Sequence, residues 1–485
     1  MPTFSRRSFL QSTALASTAP LFALTGPTVQ GQVAGANNRV RLALAGAGGR
    51  GNDIANNQFG KIDGVEIVAV VDADKTRADA GAARIKENFG NTPDAYQDYR
   101  KMLEDENIDG ILVAPSNYWQ ALMTVWGCQA GKHIFVEKPG SYNIFESRQT
   151  ANAAKKYGKV VQLGVQRRGM QSAPKIVAAV HSGKYGKLVA AKAYAHRPRN
   201  PLPVRPIDDP PAHIDWDLWL GPAAHLEYHR NLVHYNWHWF WETGNGEIGN
   251  NGVHYFDICL WALGERHPDS VVSFGARFVN DKANNYKDHA ETPTIHFALY
   301  DFGGTPLIFE SCNLAGPRER WTPLEDAEFV MEEGTIRGDS FTSKAGNRER
   351  VPNLPDPEPV GIFQNFVDAV RDPNTPLYSP IDKGMYAGSV CHWGNMAYRS
   401  GVPTDFKTCR EKIGSNPVMQ ASIDKVFANL KDVFGDEINV ETAIPWQCSD
   451  VMSIDAANDC FSDNTEANKM LRRVPREPFV VPEVV

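Results

Sequence analysis

Five short apolar runs are spaced along the first third of the chain: Val40 to Ala45, Val65 to Asp72, Asp109 to Ser116, Lys132 to Pro139 and Lys159 to Gln166. They are near-continuously apolar rather than alternating, the pattern of strands buried on both faces of a parallel sheet. Stretches of helical character lie between them: "RGNDIANNQF", "DYRKMLED", "WQALMTVWGCQAG" and "FESRQTANAAKKYG", the last with Gly158 as its C-cap. Strands alternating with helices predict an α/β fold with a doubly wound parallel sheet, whose ligands sit beyond the carboxyl ends of the strands. Ser116, Asn117, Glu137, Lys138 and Gln166 fall there.

Beyond Arg167 the pattern changes. Ser270 to Phe278 reads as a strand, Thr294 to Asn313 alternates around a Gly303-Gly304 turn, and Glu328 to Asp339 follows. Strands joined by tight turns predict a C-terminal α+β domain with an open, mainly antiparallel sheet. Gly361 to Pro373 and Lys383 to Gly401 read as helices, the second capped by Gly401, whereas Pro403 to Thr465 carries mixed signals and no assignment. The predicted divisions are a leader over 1–36, a nucleotide-binding domain over 37–165, an α+β domain over 166–402 and an extension over 403–485.

Composition narrows the class. A chain of 485 residues with 42% hydrophobic and 22% charged residues is globular and long enough for two cores. Its net charge of -7 argues against nucleic acid as the main partner. "SRRSFL", Ser5 to Leu10, precedes a mildly apolar run, Ala14 to Thr25, which is the layout of a twin-arginine signal for export to the periplasm. Cleavage after Ala34-Gly35-Ala36 would leave Asn37 near the mature start, and an uncleaved anchor is the alternative. The run is too short and polar for a stable membrane span. The seven cysteines form no C-x-x-C pair and do not resemble a zinc site, so no metal is expected. Cys448 and Cys460 are candidates for a disulfide in an oxidising compartment.

The first apolar run leads into Gly46-Ala47-Gly48-Gly49-Arg50-Gly51, a G-x-G-x-x-G turn that opens a helix. Asp72 ends the second run, 21 positions beyond Gly51, the spacing at which an acidic side chain can hold the ribose hydroxyls of a dinucleotide. In such a site Gly46 permits the tight turn, Gly48 lets the backbone approach the pyrophosphate and Gly51 lets helix and strand pack closely. Asp72 repels a 2′-phosphate, which favours NAD over NADP, although Arg50 and Arg77 partly offset that repulsion.

"VEKP" at Val136 to Pro139, with the glycine turn before it and "LGVQRR" after it, resembles the Gfo/Idh/MocA family of sugar and inositol dehydrogenases. "WDLWLGPA" (Trp216 to Ala223), "NWHWFWETGNGEIGNNGVHYFDICLWALG" (Asn236 to Gly264), "CHWGNMAYRSG" (Cys391 to Gly401) and "EANKMLRRVPREP" (Glu466 to Pro478) look like its exported bacterial branch. The resemblance implies a Rossmann domain, a catalytic lysine at Lys138 oriented by Glu137, and an α+β domain whose sheet covers the cleft and serves homo-oligomers on its other face. Where many relatives read D-x-G-x-H, this chain keeps His254 but carries Asn250, so Lys138 and His254 must share the proton transfer. If Asn250 to Leu263 is helical, Asn250, His254, Asp257 and Trp261 form one polar stripe that can face the cleft, with Asp257 behind it. A histidine pattern that relatives carry near Ser116 is absent, with Asn117, Tyr118 and Gln120 in its place. Arg168 and His238 are further candidates for substrate contact, in a region whose three tryptophans suit the C–H faces of sugars.

These features predict hydride transfer between a tightly retained nicotinamide cofactor and a sugar, polyol or sugar acid. Two alternatives share the motifs: a glycoside hydrolase that uses NAD transiently, and a catalytically silent sugar-binding protein.

Overall fold

The computed structural model describes residues 39–485 apart from 283, 284, 286, 315–324, 354–358, 415, 436, 437 and 444. The twin-arginine pattern and its cleavage region lie outside the described residues. Among those described, no helix is long and apolar enough to cross a membrane.

Six parallel strands, β1 (Val40–Ala45), β2 (Val65–Val71), β3 (Asp94–Tyr96), β4 (Gly110–Val113), β5 (His133–Glu137) and β6 (Val161–Gly164), form a sheet in the order β3-β2-β1-β4-β5-β6. The order reverses between β1 and β4, so a crevice opens at their carboxyl ends, where doubly wound sheets bind ligands. Local chemistry fixes the connecting helices. Asp74 accepts from the Thr76 and Arg77 amides to start Lys75–Phe89, which ends at left-handed Gly90, and Asn143 accepts from the Glu146 amide to start Ile144–Tyr157, which ends at left-handed Gly158.

The second sheet runs β14 (Arg348–Arg350), β13 (Ser340–Ser343), β12 (Gly334–Arg337), β11 (Glu325–Met331), β7 (Leu188–Ala195), β10 (Thr305–Cys312), β9 (Ile295–Phe302), β8 (Ser270–Ala276), β16 (Trp446–Cys448) and β15 (Val402–Thr404), with β17 (Met452–Asp455) also pairing β8. It is mainly antiparallel, with one parallel pair between β7 and β10. Its inner face packs Ala298, Tyr300 and Phe309 against helices Val253–Leu263 and Ile381–Ser400. The outer face of β8 to β10 packs Phe274, Phe297 and Ile308 against helices Phe406–Ile413 and Pro417–Phe434, which occupy the segment whose signals were mixed. Helix Ile362–Arg371 returns to the first sheet, its Phe366 packed with Phe59 and Phe135.

Gly401 caps helix Ile381–Ser400 as expected, its amide donating to the Tyr398 carbonyl at 3.0 Å, and a Cβ there would lie 2.6 Å from the Cys448 carbonyl carbon, so glycine answers a close backbone approach. One local expectation is corrected. Cys448 and Cys460 are both free thiols, the former buried beside Cys409 and the latter on β18 (Cys460–Phe461).

Candidate active site

The crevice is built first by the glycine turn. Gly46 has φ 91°, donates its amide to the Val71 carbonyl at 2.8 Å, and a Cβ on it would sit 2.7 Å from Ala114 carbonyl carbon. A Cβ on Gly51 would lie 1.9 Å from the Gly46 oxygen, so Gly51 lies under the turn and locks it rather than facing the cavity. Gly48 and Gly49 border open space: a Cβ on Gly49 meets nothing within 4 Å, and on Gly48 only Arg77 Nη1 at 3.3 Å. The chain turns helical at Gly49, where first-turn amides lack intrahelical acceptors, so the turn fits a pyrophosphate. Asp72 stands beside it at the end of β2, Oδ2 accepting from the Ala47 amide at 2.8 Å and Oδ1 from Asp74 at 2.9 Å. Burial outweighs those bonds and pushes its carboxyl up to about 6.

A cavity of about 610 Å³ joins this turn to a polar end formed by Lys138, His238, Asn250 and His254. Glu137, buried at the end of β5, accepts from Arg50 Nε at 2.9 Å and Gln166 Nε2 at 3.1 Å. Lys138 Nζ donates to the Asn250 carbonyl at 2.6 Å and to Asn250 Oδ1 at 3.1 Å. Burial lowers its pKa. Asn250 lies on a π-helical turn, Ile248–Gly252, that leads into helix Val253–Leu263, and its Nδ2 is a buried donor with no hydrogen-bond partner among the described residues. Burial first, then the positive charge of Lys138, holds His254 well below the usual imidazole range, so it is neutral. His238 Nδ1 donates to the Tyr235 carbonyl at 2.6 Å, its ring stacks on Trp237 at 3.5 Å, and burial with Lys138 lowers it to about 3. Its Nε2 is therefore an acceptor.

Gly46, Gly48, Gly49, Arg50, Asp72, Ser116, Asn117, Glu137, Lys138, Gln166, His238, Asn250 and His254 all line this one cavity. Arg168 does not. Its guanidinium is buried against Asp257, with Nε to Oδ2 at 2.8 Å, and Glu265, with Nη1 to Oε1 at 2.7 Å, and it lies 5.0 Å from the Trp261 ring. The expected polar stripe is thus divided: Asn250 and His254 face the cavity, while Asp257 and Trp261 hold Arg168. Sequence reading gave no role to Trp119, Arg197, Leu218, Trp219 and Tyr235, which also line the cavity. Trp119 lies on helix Asn117–Gln129, whose pattern tells only of packing, and the other four come from a stretch without periodicity in which "WDLWLGPA" is the one visible signal.

Residues 40–165 match the family model described as "Oxidoreductase family, NAD-binding Rossmann fold", and residues 199–428 match "Oxidoreductase family, C-terminal alpha/beta domain". The scyllo-inositol 2-dehydrogenase (NAD(+)) of Bacillus subtilis is 23% identical over 384 residues, 78% of this chain and 99% of that protein. A glycosyl hydrolase family 109 protein of Shewanella is 28% identical over 180 residues, which span 36% of this chain and 39% of that one. In fold the chain is similar to the WlbA dehydrogenase from Bordetella pertussis, solved in complex with NADH and UDP-GlcNAcA, with a TM-score of 0.54 at 19% identity over 75% of this chain and 98% of that one. With both domains of the model matched in order, this chain belongs to the Gfo/Idh/MocA family of oxidoreductases.

Proposed function

We propose that the protein oxidises a secondary alcohol of a sugar, polyol or sugar acid, with NAD as the hydride acceptor. One observation carries this reading: a single cavity connects a phosphate-sized glycine turn to an amine, Lys138 Nζ, fixed by two oxygens of Asn250. The relative named scyllo-inositol 2-dehydrogenase (NAD(+)) supports a polyol as the substrate class. Asp72 supports NAD over NADP, since a carboxylate at the ribose edge accepts hydroxyl protons and repels a phosphate.

A nicotinamide held in this cavity would supply the hydride acceptor for the carbinol carbon. The chain's own residues handle the proton. Desolvation of Lys138 makes its neutral amine accessible at lower pH than for an ordinary lysine, and that amine accepts the hydroxyl proton. Asn250 orients the amine through its oxygens and leaves Nδ2 to donate to a substrate oxygen. Neutral His254 and His238 offer ring nitrogens as acceptors for substrate hydroxyls, with Trp237 against the C–H face. Tight retention of the nucleotide suits export of a folded chain, which the paired arginines of Ser5 to Leu10 support.

Mass spectrometry of nucleotide released on denaturation, followed by a spectrophotometric screen of sugars, polyols and sugar acids, tests the reading. Lys138→Met is expected to lower kcat by about 10²–10⁴-fold, the usual contribution of a general base, while NADH still binds. Wild-type turnover by that variant sinks the proposal.

A further inference from the structure

The end of the cavity beside Asp72 has a roof. Residues 213–221 cross over the end of β2, the Lys75 amide donating to the His213 carbonyl at 2.9 Å and the Asp215 amide to Ala73 at 3.0 Å. The short helix in this roof, Trp216–Leu220, points Leu218 and Trp219 into the cavity beside the residues that follow Asp72. Asp72, which would hold the ribose of a dinucleotide, lines the same cavity as Leu218 and Trp219.

The helix end is held from outside by the last residues of the chain. Arg476 Nε donates to the Gly221 carbonyl at 2.6 Å, Nη2 to the Asp217 carbonyl at 2.9 Å and Nη1 to Asp217 Oδ1 at 2.5 Å. The guanidinium thus takes the Gly221 carbonyl just past the helix and shares the Asp217 carbonyl with the Gly221 amide, and its charge meets the negative end of the peptide dipoles. Three residues on, buried Phe479 packs edge-on against Trp119, a cavity wall, at 5.4 Å between centroids. The arm is then fixed to the first domain, with Gln149 Nε2 donating to the Glu483 carbonyl at 2.8 Å.

From these contacts we infer that the C-terminal arm, through Arg476, is a latch on the roof and sets the rate at which the dinucleotide leaves. Arg476 touches neither nucleotide nor substrate; it is a positioning residue for the roof. The inference rests on the proposed use of a nicotinamide dinucleotide.

The test is stopped-flow displacement of NADH from the full chain, read by energy transfer from the cavity tryptophans, alongside thermal melting. Arg476→Ala is expected to release NADH about tenfold or more faster, as loss of a charge-assisted bond implies, while its secondary structure is retained. Arg476→Lys, which keeps the cation without the fork, should fall between it and the wild type. Arg472→Ala, whose partner Glu483 lies on the arm itself, should release NADH at the wild-type rate. A folded Arg476→Ala variant that releases at the wild-type rate overturns the latch and leaves the oxidoreductase reading standing. If that variant fails to fold, an unchanged rate in Arg476→Lys overturns the latch in the same way. A wild-type chain that binds no NADH overturns both.

Discussion

Asp72 couples protonation to two properties of the molecule with opposite signs. Its folded pKa is raised from 3.8 to about 6, so the folded state holds the proton more strongly than the unfolded one. That contribution to stability is present below the ordinary carboxylate range and is lost as pH rises through about 6. Ribose binding needs the carboxylate instead, so NAD affinity should strengthen as pH rises across the same interval. Fluorescence titration with NADH checks this, and Asp72→Asn should flatten the dependence. Lys138 and His254 were legible because each sits in a distinctive string at a strand or helix end. Arg168 was not, since a basic residue after a strand reads the same whether it faces a cleft or a buried carboxylate. Its partners, Asp257 and Glu265, lie 89 and 97 positions away. Removing one side of a buried ion pair leaves an uncompensated charge, so Arg168→Met should cost about 3–5 kcal/mol of stability. Denaturant unfolding measures that cost, and substrate KM should not move.

Elements were legible in proportion to how far their own residues decide them. The central strands β1, β4 and β5 are buried on both faces, so each had to be a continuous apolar run. Edge strand β3, only three residues long and mostly exposed, left no such run. Helix Lys75–Phe89 also escaped, because it buries few residues; its true signals were the capping Asp74 and the Gly90 stop. Within the glycine turn, similar glycines meet different surroundings. Gly51→Ala puts a methyl against the backbone oxygen of Gly46 and should cost about 1–3 kcal/mol while opening the turn. Gly49→Ala meets open space and should stay within about 0.5 kcal/mol of wild type. Chemical denaturation of the two variants side by side distinguishes a locked turn from a merely flexible loop.

At the scale of the whole molecule, the second sheet is shared property. Strands β8 to β10 send alternate side chains into two cores: Ala298, Tyr300 and Phe309 inward, toward the helix that carries His254, and Phe297, Ile308 and Phe274 outward. Helix Pro417–Phe434 covers that outward half within the same chain, with Met419, Ile423 and Leu430 buried against it. A homo-oligomer formed through this sheet would therefore meet the β7, β11 and β12 half, where Tyr194 donates to Glu328 at 3.2 Å and Arg337 is exposed. Because both cores use the same strands, loss of the outer layer should weaken the inner one. Leu430→Ala, at 1% exposure, should cost about 2–5 kcal/mol through lost burial and the cavity left behind. Calorimetry is expected to show the whole unfolding transition moving down as one. A separate early transition, with the main one unmoved, would mean that the helical layer is an appendage and that the sheet stands without it.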